Sequence, residues 1–175
     1  MKYAYFPGCS LESTAKEFGE STHLVAEAVG IDLVEIHDWN CCGATSAHNL
    51  DHKLSVALPA RNLGIAESME LGVVAPCAAC YNRMRSAEVE LRENQTLRAE
   101  VNALLDKPFT GRTTVRSALE IFTNQVVLDR VAENVSKKLT GLRPACYYGC
   151  LLVRPPKVLG FDDAEDPKSL DTAME

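Results

Sequence analysis

The sequence predicts an α/β fold built on a mostly parallel sheet with flanking helices. Three observations carry that expectation. Short β-rich runs alternate with longer segments of helical periodicity; three of those runs each deliver the chain to cysteine; and 175 residues, 46% hydrophobic and 24% charged, are enough for one globular core.

Residues 2–6 (KYAYF) form a β-rich run stopped by Pro7 and Gly8, and they lead to Cys9. From 11 to 29 the apolar residues Ala15, Phe18, Leu24, Val25, Ala28 and Val29 recur at roughly helical spacing, with Gly30 as the stop. The same order returns. IDLVEIHDW, from Ile31, is a strand candidate leading to Cys41 and Cys42. Asn49 or Asp51 then caps a helix through Met69 that Gly72 closes and Pro59 kinks or divides. GVVAP, residues 72–76, is a third strand leading to Cys77 and Cys80, and a long Glu-, Arg- and Leu-rich helical pattern follows.

Residues 107–114 (KPFTGRTT) read as a loop and VRSALEIFTNQVVLDRVAENVSKKL as one or two helices. RPACYYGC then brings a fourth strand-like stretch to Cys150, echoing the opening YAYFPGC, so Cys9 and Cys150 are equivalent positions of an internal repeat. The expected organisation is residues 1–106 as a first cysteine-rich unit, 107–140 as a helical connection, and 141–175 as the start of an incomplete second unit.

A net charge of -6 and a pI near 5.3 argue against a phosphate-tracking surface, so nucleic acid is not an expected partner. The N-terminus does not read as a secretory signal, and no apolar run approaches the roughly 18 to 20 residues of a membrane span. The expected location is cytoplasmic, where seven cysteines are reduced thiols and metal ligation outranks a disulfide framework.

In a parallel sheet the loops that follow the strands gather at one edge. Cys9, Cys41, Cys42, Cys77 and Cys80 each follow a predicted strand, in the spacing C-x31-CC-x34-C-x2-C. The C-x2-C turn lets two sulfurs face one metal; read alone it equally fits a thioredoxin-like redox pair, which leaves the other three thiols without a role. Zinc or a cubane iron-sulfur cluster takes four of the five. A cluster of opened geometry, with one thiolate bridging two irons, uses all five and explains the adjacent pair, and Gly43 permits the sharp turn this needs.

Other candidates read more plainly. Cys146 is assigned to the core, and His23 and His37 to core or surface. His48 and His52 stand at i and i+4 but lack a third ligand. Trp39 shields the thiols, and Arg83, Arg85 and Arg154 are solvated charges that could attract an anionic thiol.

FPGCS, CCGA and PCAACYNR together resemble the cysteine-rich CCG domain, and YYGCLLVRPPKVLGFDDAEDPKSLD looks like the start of its second copy, as found in the B-type subunit of heterodisulfide reductase. The CCG pattern also occurs in iron-sulfur subunits of several dehydrogenases and quinone-linked complexes. The resemblance implies a non-cubane [4Fe-4S] cluster on Cys9, Cys41, Cys42, Cys77 and Cys80, with Cys150 matching the first cysteine of a second site whose remaining motifs are not in this sequence; a second cluster is therefore not expected. It implies reduction of a low-molecular-weight disulfide, such as that of coenzyme M and coenzyme B, to two thiols by one-electron steps. The implied partners are the ferredoxin-like subunit of a heterodisulfide reductase complex, with a flavin subunit behind it. The rival readings are a non-catalytic subunit for electron relay and a structural zinc module.

Overall fold

The computed structural model describes residues 1–44 and 46–174. Its strands are β1 (Lys2–Tyr5), β2 (Asp32–Glu35), β3 (Val73–Ala75) and β4 (Val115–Ser117), in the spatial order β2-β1-β3-β4. Every pairing is parallel, Lys2 facing Asp32, Ala4 facing Val73 and Val73 facing Val115. The helices are α1 (Gly8–Leu11), α2 (Lys16–Ala28), α3 (Ala47–Leu50), α4 (His52–Ser68), α5 (Ala78–Glu93), α6 (Gln95–Asn102), α7 (Ala118–Phe122), α8 (Gln125–Asn134), α9 (Cys150–Val153) and α10 (Ser169–Met174).

Alternating strand residues face opposite sides of the sheet, and both sides are covered. Ala4, Val73 and Ala75 point into a core shared with Val56 and Leu63 of α4 and Tyr81 and Met84 of α5. Tyr3, Leu33 and Val74 point the other way, toward Ala26 of α2, Ile121 of α7 and Val127 of α8. This two-sided burial is why VVA, a run with no polar residue, forms a central strand.

Several elements depart from the expected boundaries. The first helical segment breaks between α1 and α2, and α2 buries Gly19, Thr22 and Ala26 while Phe18, Leu24 and Val25 stay exposed. Small side chains let α2 lie close to the sheet, so its inner face is not the one that hydropathy marks. Asp51 is the cap of α4, its carboxylate accepting from Leu54 N, but α4 runs through Pro59 without a break. A proline removes one internal hydrogen bond, and burial of Val56, Ala60 and Leu63 on either side outweighs that loss. The left-handed residue closing this helix is Glu70, at φ 59°, rather than Gly72. The long pattern after Cys80 divides into α5 and α6 at Asn94, which caps α6 through Leu97 N.

The stretch 115–139, helical throughout by its pattern, opens instead with strand β4. Tertiary contacts override local propensity here. Val115 N donates to Glu88 Oε2 at 2.9 Å, and Val73 N donates to Thr114 O at 2.8 Å. Glu88 is a fully buried carboxylate held at ion-pair distance by Arg85 and Arg92. Residues 143–149, expected as a fourth strand, contain no assigned strand, and Cys146 is half-buried outside both cores.

The loop feeding β4 is shaped by Glu67 of α4. Its carboxylate accepts from Thr110 N, Thr110 Oγ1, Arg112 N and Thr113 N at 2.5 to 3.1 Å. Burial pushes this carboxyl up, and the hydrogen bonds outweigh burial and hold it below the usual glutamate range. Glu67 therefore stabilises the fold above its unfolded value of about 4.3 and loses that contribution as pH falls through the lower folded value. Glu67→Gln is expected to cost about 1–3 kcal/mol at pH 7 in urea denaturation. The gap from wild type should close on acidification, and equal midpoints at pH 7 would show that the loop does not need the carboxylate.

Candidate metal centre

Three strand ends bring the five thiols to one edge of the sheet. Cys9 lies in α1 just after β1, the Cys41–Cys42 pair follows β2, and Cys77 caps α5 after β3, with Cys80 in its first turn. β1 is the strand on either side of which the chain order reverses, and the crevice at such a switch point is the usual ligand site of an open parallel sheet. Cys9 and Cys77 follow the two strands that flank it.

The adjacent pair divides. Cys42 is 2% exposed, with its Sγ 3.3 Å from Cys80 Sγ, whereas Cys41 is exposed on the side of Cys9. Cys77 contacts Cys80 and the Ser10 hydroxyl. Gly43 makes the division feasible: it sits at φ 73°, and a Cβ there would lie 2.8 Å from both Ala47 Cβ and Leu58 Cδ1. Its N–H approaches Cys41 Sγ at 3.4 Å. Gly8 serves the opposite side, where a Cβ would come within 2.8 Å of Cys80 Sγ. Gly8 thus keeps the space beside Cys80 free of a side chain, and that space, with five sulfur donors gathered at the same edge, fits a metal group.

Buried amides hold the pair in place. Asn62, fully buried in α4, accepts from Asn40 N at 3.0 Å and donates to Asn40 O at 2.9 Å. Asn40 Nδ2 in turn donates to Cys41 O and Leu58 O. Sequence reasoning missed both residues; the signal was a polar Asn62 inside the apolar run ARNLGIA. Trp39 packs edge-to-face on Phe6 at 5.5 Å, beside the site, and donates to Glu35.

The thiols differ in acidity. Hydrogen bonding to Cys42 and Cys77, reinforced by burial, holds Cys80 protonated. The thiol of Cys80 lowers Cys77 to about 5 against burial, with help from the backbone N–H groups of Cys80 and Ala79 and from Ser10. Cys42 is lowered by Cys80 in the same way. At Cys41 the Gly43 N–H favours thiolate, but burial and the neighbouring Cys42 and Cys9 outweigh it and push the thiol up.

The remaining candidates lie elsewhere. His48 and His52 fall on α3 and α4, and His52 pairs with Glu90 at 2.7 Å. His23 meets Tyr5 edge-to-face, His37 is exposed beyond the end of β2, and Cys146 lies beside Asp171. Arg85 is engaged by Glu88, and Arg154 by Glu165. Cys150 is exposed at the start of α9. Among the described residues, no three His, Cys, Asp or Glu side chains converge on a point where one metal ion would sit.

A family description, the cysteine-rich CCG domain, matches residues 3 to 85, a span that contains Cys9, the Cys41–Cys42 pair and the C-x2-C turn. Residues 3–85 are a CCG cysteine-rich domain. The 8-methylmenaquinol:fumarate reductase membrane anchor subunit of Wolinella succinogenes is 35% identical over 99% of this chain and 61% of its own length. The B-type subunit of the ferredoxin:CoB-CoM heterodisulfide reductase of Methanosarcina mazei is 27% identical over 99% of this chain and 59% of its own length. An uncharacterized iron-sulfur protein of Methanocaldococcus jannaschii is 23% identical over 76% of this chain and 28% of its own length. The chain spans about three fifths of the length of the first two relatives. Among the described residues no helix is long and apolar enough to cross a membrane.

Two outcomes test this geometry. Gly43→Ala and Asn62→Ala should each lower stability by about 1–3 kcal/mol in denaturant titration. Both should expose Cys42 to alkylation, and a Cys42 still protected in either variant would contradict the role given to that residue. In metal-free protein, iodoacetamide labelling of Cys77 should rise with pH around a midpoint near 5, while Cys41 stays slow until alkaline pH. Peptide mass spectrometry separates the two, and equal profiles would contradict the assignment.

Proposed function

We propose that this CCG chain is an iron-sulfur redox subunit of a multisubunit oxidoreductase, of the kind that reduces a mixed disulfide to two thiols. The gathering of five cysteines at one edge of the sheet, each after one of three strand ends, carries the reading. In this proposal Cys9, Cys41, Cys42, Cys77 and Cys80 hold one non-cubane [4Fe-4S] cluster, the split pair placing one thiolate on the buried side and one on the exposed side. Zinc would leave one of the five without a role, and similarity to iron-sulfur relatives supports the cluster. When bound, such a cluster supplies electrons singly, and two electrons with two protons convert one disulfide to two thiols.

The chain's own groups do the rest. The Cys80 thiol, the first N–H groups of α5 and the Ser10 hydroxyl favour Cys77 as thiolate, ready to ligate. Phe6 and Trp39 keep water from one side, Gly8 keeps space open beside Cys80, Gly43 turns the pair apart, and Cys9 and Cys41 form the exposed side that a partner or substrate can approach. Residues 1–106 would carry this site and 107–140 the connection that also adds β4. Residues 141–175 would begin a second unit with Cys150 as its first thiol. A ferredoxin-like subunit, with a flavin subunit behind it, would deliver electrons.

A second reading is an electron relay within a quinol-linked complex. The 35% identity to a subunit of a menaquinol:fumarate reductase favours it. Iron and acid-labile sulfide assays on anaerobically purified protein should find both elements, and zinc without sulfide would sink the cluster. Cys41→Ser and Cys42→Ser should each lower iron content as severely as Cys77→Ser; full iron in both would refute five-thiolate ligation. A new paramagnetic signal on oxidation only with the substrate thiol supports disulfide chemistry, and an unchanged spectrum supports the relay.

A further inference from the structure

Away from the thiols, the segment after residue 149 is fastened to α5 by polar contacts. Asn82, two residues beyond Cys80, is 6% exposed, and its Nδ2 donates to Leu151 O at 3.1 Å and Arg154 O at 2.8 Å. Leu151 lies inside α9, and Arg154 is its C-terminal cap. One turn further along α5, Arg85 Nε donates to Val158 O at 3.1 Å, and the Phe161 ring meets Tyr81 edge-to-face at 6.2 Å. Tyr81, Asn82 and Arg85 share one face of the helix, at i, i+1 and i+4.

A four-residue turn cannot hold itself. Leu152 N to Gly149 O and Arg154 N to Cys150 O, each at 2.9 Å, close the Cys150 turn, and its last carbonyls need outside donors. An amide nitrogen with two hydrogens can serve two carbonyls at once, which no residue without a side-chain N–H could do from this position. Asn82 therefore joins the turn that starts at Cys150 to the helix that starts with Cys77 and Cys80.

We propose that Asn82 is a positioning residue that fixes the Cys150 turn against the C-x2-C helix, so that the sixth thiol keeps a set place relative to the five-cysteine site. This rests on the cluster reading and deepens it: α5 supplies two ligands at its N-terminus and seats the next cysteine on its flank. A metal-site role for Asn82 itself is not part of it, because its side chain is committed to the two carbonyls.

The test compares Asn82→Ala and Asn82→Asp with the wild-type chain. The aspartate cannot donate to either carbonyl and keeps the size of the side chain. Hydrogen exchange by mass spectrometry should accelerate about tenfold at 150–154 in both variants, with α5 and the iron content unchanged. In holoprotein carrying Cys146→Ser and a nitroxide on Cys150, relaxation by the paramagnetic cluster should report one narrow distance in the wild-type background and a broad spread in the variants. Unchanged exchange at 150–154 would overturn the proposal, as would equal acceleration throughout α5 or an identical distance distribution. Iron and sulfide missing from every protein would refute the cluster reading, while exchange would still decide the clamp.

Discussion

The parallel pairing of β1 on both of its edges is the constraint on which the rest depends. β1 takes β2 on one side and β3 on the other, in registers that align their C-terminal ends. The chain must then leave all three strands at the same edge of the sheet. Between β1 and β3 the departing segments lead to opposite faces, α2 on one and α5 on the other, which opens a crevice. Cys9, the Cys41–Cys42 pair, and Cys77 with Cys80 meet there because of strand direction, across as many as 71 positions of sequence. No local preference for cysteine to approach cysteine is needed.

Within that edge, the difficult element is the pair. Neighbouring side chains in extended backbone diverge, and a left-handed Gly43 turns this divergence to use, with Cys42 entering the core beside Cys80 and Cys41 remaining outside beside Cys9. Glycine adopts this backbone without steric cost. The reciprocal hydrogen bonds between Asn40 and Asn62 then fasten the loop to the buried part of α4. Gathering thiols also has an electrostatic cost, and Cys80 reduces it by staying protonated between Cys42 and Cys77, which carry the negative charge more easily.

β1, β2 and β3, and the placement of cysteines just after them, were legible because their signals are local: β-rich runs ended by proline, glycine or polar residues, each followed by cysteine. The face of α2 was not legible, since Gly19 and Thr22 are buried for their small size while Phe18 and Leu24 remain outside. β4 was hidden for another reason. VRS owes its extended form to Glu88 and β3, which contact it from 27 and more than 40 positions away, and three residues carry no periodicity of their own. Asn62 showed only as a polar residue inside an apolar run and Asn82 not at all, because a buried amide declares itself only through the backbone groups it serves.

Both amides do the same physical work on different segments, and this explains why two helices dominate the site. Cysteine-bearing loops have few internal hydrogen bonds, so a regular element must lend donors and acceptors to them. α4 lends Asn62 to the loop after β2, and α5 lends Asn82 to the turn of Cys150. α4 and α5 also pack directly on one another beneath the sheet. The two clamps therefore share one support, and the places of the Cys41–Cys42 pair, of Cys77 and Cys80 and of the Cys150 turn relative to one another depend on the packing of that helix pair, while Cys9 is placed by β1 through α1.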